Sequence, residues 1–426
     1  MTYRRATRLV MAVGVLLRIV LLVGSAKHPA DPRFVADPYA YLLMADHAYH
    51  GRFFVSFRGF PTAYLSVGYP FLLAMVRHLL FGAVSMWVTA LLVNVVCFVA
   101  TALAVPRLLG ALSGGRLAGR SASTVSLVMV GLLAVYPDYL FATGLVMSEL
   151  VASAFLVWMV VLTAEAMTAP RSVRHAVGAG LCAGMTAFVR PSMVLLLVFV
   201  PLALAIAGRW RGALLVLAAA SLPVVPLVVN NVRVGAGIGV TSATWPNVCD
   251  GMTDPQGRFE WRRECRVTML PGESHTAGTE ARNVKWARMV ARQEIKAHPW
   301  TWVGRMPLRI AHSVWSGGWA TEFSVHWAQN YVWTTKLRVF MRLSQAFFLG
   351  LSVLGLWGMA GLARRRILRW WPVWVVVAGS LAGVPISFGQ SRFGWPIAVV
   401  VLVPCASWKF AELFQSMFHR FAADPA

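Results

Sequence analysis

Ala36-Asp37-Pro38-Tyr39-Ala40-Tyr41, with its continuation to Gly68-Tyr69-Pro70, is the stretch around which the rest of this chain is organised. It follows the first long apolar run and carries Asp37 and, nine residues later, Asp46. Acidic residues are scarce, with 16 Asp and Glu among 426 residues. Because ionisable residues next to membrane segments are costly and often functional, chemistry is expected here.

The composition is that of an integral membrane protein. Hydrophobic residues make up 58% of the chain and charged residues 13%, whereas soluble domains are about half apolar and a quarter charged. The formal net charge of +23 would indicate nucleic-acid binding only if the basic residues formed one face of a soluble domain. They fall mainly between apolar runs instead, which argues against that class of protein.

The five cysteines are too few for a disulfide scaffold. Cys97, Cys182 and Cys405 lie inside apolar runs and are typical of small core residues. Cys249 and Cys265 share one polar loop, so a disulfide between them is predicted if that loop is extracytoplasmic.

The start of the chain imitates a secretory signal, with basic residues before an apolar run from Leu9 to Val23. We interpret it as an uncleaved first helix, because Arg18 interrupts the run and cleavage would detach the segment that anchors the acidic stretch.

Ten apolar runs approach the roughly 20 residues that a spanning helix needs. They are, approximately, residues 8–25, 84–106, 123–138, 143–165, 174–190, 191–208, 212–230, 343–363, 371–389 and 393–411. The sequence therefore predicts an all-α polytopic membrane protein, with one domain over residues 1–426 and a bundle of about ten transmembrane helices.

The distribution of basic residues predicts the orientation of this bundle. Ten helices place every cluster of Arg and Lys beside a short loop on the same side, which the positive-inside rule makes cytoplasmic. The clusters are Arg4, Arg5 and Arg8; Arg107, Arg116 and Arg120; Arg171 and Arg174; Arg209 and Arg211; Arg364, Arg365, Arg366 and Arg369; and Lys409 and Arg420. We therefore expect a multi-pass inner or plasma membrane protein with both termini in the cytoplasm.

Two long segments fall on the extracytoplasmic side, residues 26–83 and 231–342. In the first, Gly68 to Gly82 is apolar but only ~15 residues long, which favours a helix lying along the interface. In the second, Gly278 to His298 is charged and helix-permissive and is ended by Pro299, which indicates a surface or interfacial helix.

Asp37 is the first candidate for chemistry. It either caps a short helix, as Asp does before a Pro at the first helical position, or acts as a catalytic acid–base group beside the membrane. Asp46 and Asp31 are weaker candidates and are interpreted as solvated residues.

Glu149 lies near the outer end of the fourth apolar run. It is either a functional residue paired with a cation or facing a polar cavity, or a first-turn glutamate favoured by the helix dipole. Asp138, in the short turn before that helix, is expected to cap or solvate the turn.

Several arginines could bind an anion on the outer side. Arg190 and Arg392 fall at outer helix ends, where a guanidinium either grips a phosphate or extends to the lipid headgroups. Arg305, Arg309 and His312 share one potential helical face and could bind anionic headgroups. The sequence contains no His-x-x-x-His pair, Gly-rich phosphate loop or Gly-x-Ser-x-Gly elbow, so no metal site is predicted.

Together these residues resemble a known family. Asp37 four residues before Tyr41, then Gly51 and Gly68-Tyr69-Pro70, resembles the first extracytoplasmic loop of GT-C glycosyltransferases. The branch it resembles contains bacterial protein O-mannosyltransferases and the lipid A aminoarabinose transferase. Further landmarks follow in the family's order: Tyr136-Pro137, Ser148-Glu149, Gly184 to Arg190-Pro191, Asn230 to Gly235, His298-Pro299 and Arg392 to Pro396.

The chain also departs from the pattern of this family. Asn230 stands where the family usually has arginine, and Leu65-Ser66-Val67 replaces a common Arg-Pro-Pro. The chain is also short for this family, so we expect it to lack the soluble C-terminal domain of larger members. These departures concern the subfamily and the acceptor more than the fold.

The resemblance implies an inverting glycosyltransferase with Asp37 as general base. The donor would be a sugar on a polyprenyl phosphate, and the acceptor an extracytoplasmic hydroxyl of a cell-envelope glycan, lipid or protein. Tyr41, Tyr69, Arg190, Arg309 and Arg392 would bind substrate. Glu149 would position the acceptor or help to hold a divalent cation, and no other cofactor is implied.

Two other classes remain open at this stage. A polytopic transporter or flippase would suit the many helices and intramembrane charges, although such proteins usually show two related halves. Another lipid-dependent enzyme, such as a polysaccharide ligase or phosphotransferase, would share the outward site but not the landmark from Asp37 to Tyr41.

Overall fold

The computed structural model describes residues 3–25, 37–64, 66–113, 120–169, 172–253, 265, 277–315, 334–366, 371–382 and 398–423. These residues form helices joined by turns, with one isolated antiparallel bridge between Val55 and Pro61. The helices are α1 (Tyr3–Ser25), α2 (Asp37–Tyr49), α3 (Gly68–Leu79), α4 (Met86–Ser113), α5 (Arg120–Val135), α6 (Pro137–Ala142), α7 (Glu149–Thr168), α8 (Val173–Val189), α9 (Leu196–Ile206), α10 (Trp210–Arg233), α11 (Thr244–Thr253), α12 (Ala277–Ala297), α13 (Pro299–Gly304), α14 (Met306–Trp315), α15 (Thr334–Arg366), α16 (Trp371–Leu381) and α17 (Val403–Ala423). A 3₁₀ turn precedes α9 and a short π-helix precedes α17.

Each of the ten predicted apolar runs contains helix in its described part, although the fourth run, predicted from residue 143, becomes helical only at Glu149. Five helices are long and apolar enough to cross a membrane by length and composition, and three shorter apolar helices accompany them. The protein is therefore an all-α, multi-pass membrane protein. The two predicted loop helices also form, as α3 and α12.

The centre of the bundle is α7, which packs against α4 and α8 and is buried on most of its surface. Next to it, α8 and α10 approach closely through small residues. A side chain on Gly180 or Gly184 would collide with the main chain of α10 at Val216 or Ala220. Small residues spaced in this way let membrane helices touch along their backbones.

Arg18 in α1 is fully buried and holds α1 against α5. Its guanidinium donates to the carbonyl oxygens of Leu133 and Ala134, which lie in the last turn of α5. The same group lies 3.6 Å from the centroid of the Phe98 ring. Because a cation is favourable at a helix C-terminus, this charge within an apolar run is a structural feature of the bundle.

The second long loop has a small core of its own. In this core, Val248, Cys249 and Cys265 pack against Ala287 and Ala291 of α12. Cys249 and Cys265 form a disulfide, which confirms the pairing predicted from their shared loop. This cross-link ties α11 to a segment that otherwise lies mostly outside the described residues.

Candidate functional site

The acidic stretch forms the start of α2, which begins at Asp37 with Pro38 in its first turn. Asp favours a helix start and Pro fits the first helical position, so the sequence determines this boundary locally. Asp37 is partly exposed. One turn later, Tyr41 is buried and its ring meets the ring of Tyr69 edge-on, with 5.3 Å between centroids.

Tyr69 lies at the start of α3 and is fully buried. Burial raises the pKa of its hydroxyl well above the usual value, and the nearby Cys97, Tyr41 and Glu149 raise it further. The hydroxyl therefore stays protonated at any working pH. It makes no hydrogen bond to any part of the chain that the structure describes, so it is a buried donor with no described acceptor.

The beginning of α3 is pressed against the end of α8. Gly68 approaches the carbonyl of Phe188 so closely that any side chain at residue 68 would collide with it. Just before it, the Ser66 hydroxyl donates to the carbonyl of Val189 at 2.5 Å. The first long loop thereby packs against the two residues that precede Arg190.

Arg190 and Glu149 form a buried ion pair. The Nη1 atom of Arg190 lies 2.7 Å from Oε1 of Glu149, and the two side chains are only 7% and 2% exposed. Glu149 is the first residue of α7, where the helix dipole favours a negative charge. The alternative in which Arg190 extends to the lipid headgroups does not hold, because its side chain is buried in this pair.

The structure brings together four of the seven predicted site residues. Tyr41 contacts Tyr69, the charge of Glu149 raises the pKa of Tyr69, and Glu149 pairs with Arg190. Asp37 lies one helical turn before Tyr41. We call Asp37, Tyr41, Tyr69, Glu149 and Arg190 the outer site.

Of the other two predicted residues, Arg309 does not join this chain of contacts. Arg309 is fully buried in α14, and its guanidinium donates to the carbonyl of Gly251 at 2.8 Å. It therefore braces the second loop and does not present a surface to headgroups, contrary to that alternative. Arg392 lies outside the described residues, as does the side chain of His312.

Asp138 differs from its prediction. It was expected to cap or solvate a turn, but it is fully buried in the first turn of α6. The sequence signal was ambiguous because a Pro-Asp pair starts exposed and buried helices equally well. Burial here comes from tertiary packing of α6 between α5 and α15.

One further contact, which joins the two long loops, could not be predicted from the sequence. Glu280, in the first turn of α12, accepts hydrogen bonds from Thr62, Ala63 and Ser242. We call Glu280 and these three residues the Glu280 latch. Its partners are far apart in the chain, so no local pattern could reveal it.

Comparison with solved structures identifies the fold. The oligosaccharyltransferase of Archaeoglobus fulgidus, crystallised with zinc and sulfate, matches with a TM-score of 0.54 at 13% identity, over 97% of this chain and 50% of the other. A second structure of that archaeal enzyme, AglB with an inhibitory peptide and a dolichol-phosphate, matches with a TM-score of 0.52 at 13% identity, over 100% of this chain and 52% of the other.

The chain has a GT-C fold. This confirms the fold that the sequence landmarks predicted. ArnT from Cupriavidus metallidurans bound to undecaprenyl phosphate also matches, at 13% identity over 94% of this chain and 77% of the other, but its TM-score of 0.41 is too low to carry an argument. No family model and no curated protein sequence matches the chain.

The GT-C fold here spans about half the length of the archaeal structures. No group of three or more His, Cys, Asp or Glu suited to a metal ion occurs within the described ranges. Glu149 is engaged by the positive charge of Arg190, which opposes a second cation at the same carboxylate. The described donor set therefore does not fit a metal ion, and no step below is assigned to one.

Proposed function

We propose that this protein is an inverting glycosyltransferase that moves a sugar from a polyprenyl phosphate to an extracytoplasmic hydroxyl acceptor. The observation that carries the proposal is the convergence of a tyrosine pair and a buried Glu149–Arg190 pair beside the acidic start of α2, within a GT-C fold. The archaeal AglB structure of similar fold holds a dolichol-phosphate, a lipid of the proposed donor class.

Asp37 is the general base of the proposed reaction. Its carboxylate takes the proton of the acceptor hydroxyl while that oxygen attacks the anomeric carbon, and the bond from that carbon to the phosphate oxygen breaks. The polyprenyl phosphate leaves with the bonding electron pair. Attack opposite the leaving group inverts the configuration, and a positioned base contributes typically ~10²–10⁴-fold.

Arg190 holds the phosphate of the donor. A guanidinium has five N–H donors in a fork that matches phosphate oxygens, enough to serve a carboxylate and a phosphate together. The pair with Glu149 fixes the direction of this fork in a buried, low-dielectric setting. Arg392 is a secondary candidate for the same phosphate, Tyr41 and Tyr69 line the sugar, and Glu149 also orients the acceptor.

The test is sugar transfer by purified protein from a panel of polyprenyl-phosphate hexoses and pentoses, with matching nucleotide sugars as controls. We expect transfer from at least one lipid donor and none from nucleotide sugars, and an inverted anomeric configuration in the product by NMR. Transport of an intact lipid-linked sugar without bond cleavage would instead indicate the flippase alternative.

A further inference from the structure

The carboxylate of Glu280 collects three hydrogen bonds from two separate loops. The Thr62 hydroxyl donates to Oε2 at 2.6 Å, and the Ala63 amide donates to Oε1 at 2.7 Å. The Ser242 hydroxyl also donates to Oε1, at 2.6 Å. Thr62 and Ala63 belong to the first outer loop, while Ser242 and Glu280 belong to the second, so one carboxylate joins the two loops.

Main-chain and amide contacts surround this carboxylate. The Ser242 amide and the Thr241 hydroxyl both donate to the carbonyl of Ala63, each at 3.0 Å. The Asn230 side chain, at the outer end of α10, donates to the carbonyl of Thr62 at 2.8 Å and is itself buried. The first loop is therefore held at residues 62–63 from α10, from the second loop and from α12.

The segment held in this way leads directly into the outer site. Three residues after Ala63, the Ser66 hydroxyl binds Val189, and Gly68 then rests on Phe188. Tyr69 follows immediately. Only six positions along the chain therefore separate Ala63 from Tyr69, whose ring packs on Tyr41.

We infer that Glu280 is a positioning residue of the outer site, through which the second loop holds residues 62–69 in register with Glu149 and Arg190. The inference rests on the proposed function. Glu280 touches no reacting atom. It acts through the main chain that carries Tyr69, so its loss displaces the tyrosine pair while the Glu149–Arg190 pair, held by α7 and α8, stays in place.

Two substitutions at Glu280 separate positioning from charge. Glu280→Ala removes all three hydrogen bonds and is expected to lower kcat by ~10²-fold, the effect of misplacing a site by about 1 Å. Glu280→Gln keeps a carbonyl oxygen that accepts from Ala63 and Ser242, so kcat is expected to fall ~10-fold or less. Binding of undecaprenyl phosphate is expected to stay within about twofold in both variants, because Arg190 is undisturbed.

The matched control is Glu294→Ala, which removes the same charge from the same helix. Among the described residues the Glu294 side chain makes no hydrogen bond, and its main-chain carbonyl accepts from the His298 amide at the end of the helix. Hydrogen exchange provides a readout that does not depend on turnover. We expect faster exchange in residues 62–71 of Glu280→Ala and unchanged exchange in Glu294→Ala.

Each outcome decides the inference. Unchanged exchange at residues 62–71 in Glu280→Ala overturns it, and so does an equal loss of kcat in Glu280→Gln and Glu280→Ala, which would indicate a role for the charge. If Glu280→Ala does not fold, Ser242→Ala removes one of the three bonds to the carboxylate. Thr62→Val removes another, together with the bond from the Tyr64 amide to the Thr62 hydroxyl. Both are expected to give smaller losses than Glu280→Ala, with the larger loss in Thr62→Val. If the wild type transfers no sugar, the proposed function fails by itself, and hydrogen exchange still decides whether Glu280 holds the first loop.

Discussion

Because the Glu149–Arg190 pair is buried, removing either partner is expected to lower the free energy of unfolding strongly. Removing one partner of a buried pair leaves an uncompensated charge and costs about 3–5 kcal/mol, whereas removing both is often nearly neutral. The comparison is available within the same chain, because Asp46 pairs with Arg77 at 3.2 Å while remaining 47% exposed. Exposed pairs of that kind contribute about 0–1 kcal/mol.

Glu149→Gln is therefore expected to lower the unfolding temperature strongly, and Glu149→Gln combined with Arg190→Gln is expected to recover most of that loss. The double variant is nevertheless expected to bind undecaprenyl phosphate less tightly than the wild type, because it lacks the Arg190 guanidinium that holds the phosphate. Thermal unfolding and lipid binding in detergent measure both effects, with Asp46→Asn as the control of small effect. A double variant no more stable than Glu149→Gln would show that the unpaired charge of Arg190 does not cause the loss of stability in Glu149→Gln.

Tyr69→Phe separates a substrate contact from a packing role. The hydroxyl is buried without a hydrogen bond in the described chain, so its removal is expected to leave thermal stability unchanged or slightly raised. If it donates to substrate, kcat/KM is expected to fall by about 10-fold, the value of a hydrogen bond to a partly charged group. Since burial keeps its pKa far above neutral, the pH profile of transfer between pH 6 and 9 should not change. Normal kcat/KM would leave Tyr69 with a packing role alone.

Sequence reasoning singled out several residues that lie close together in the structure, but it did not predict their contacts. Asp37, Tyr41 and Glu149 could be singled out because acids and landmark spacings stand out in an apolar chain. The pairing of Glu149 with Arg190 could not be derived, because 41 residues separate them and either residue alone suits the membrane surface. The burial of Asp138 and the contacts of Glu280 could not be predicted for the same reason, since both depend on tertiary packing.

Among the elements, α12 has the composition of an interfacial helix. Five cations lie on exposed positions of its outer side, Arg282, Lys285, Arg288, Arg292 and Lys296. Trp286 and Met289 are also exposed, by 41% and 42%, and Trp300 just beyond the helix is 83% exposed. Aromatic residues beside cations are typical of the membrane–water boundary.

We expect Trp286 to face lipid and Arg288 to face water, because residues two apart lie about 160° from each other on a helix. Spin labels at Trp286→Cys and Arg288→Cys in proteoliposomes measure this directly. The label at residue 286 is expected to be more accessible to oxygen than to a water-soluble nickel chelate, with the reverse at residue 288. Equal accessibility at both positions would mean that α12 does not lie on the membrane.

The helices themselves were predictable because each depends on a run of apolar residues with local start and stop signals. All ten runs contain helix in their described parts, although the fourth becomes helical only at Glu149. The break between α8 and α9 falls at Arg190-Pro191, as expected for the residue before a proline. The close approach of α8 and α10 was harder to predict from the sequence. Gly180 and Gly184 stand out only once the partner helix is known.

For the whole molecule, the orientation in the membrane remains a prediction from the basic residues. Single cysteines at Ser274, in the second outer loop, and at Ser121, in the first turn of α5, are expected to react with an impermeant thiol reagent from opposite sides of the membrane. Labelling intact and lysed cells measures this. Reaction of both from the same side would rule out ten helices with both termini in the cytoplasm.

The assignment of Asp37 as general base is tested most directly by sugar transfer in proteoliposomes, from the lipid donor that the wild type uses. Asp37→Asn removes the basic carboxylate but keeps its size, so transfer is expected to fall by at least ~10²-fold while binding of undecaprenyl phosphate is retained. Asp46→Asn, on the same helix and exposed, is expected to transfer nearly as fast as the wild type. A well-folded Asp37→Asn protein with near wild-type transfer would contradict the assignment of Asp37 as the general base.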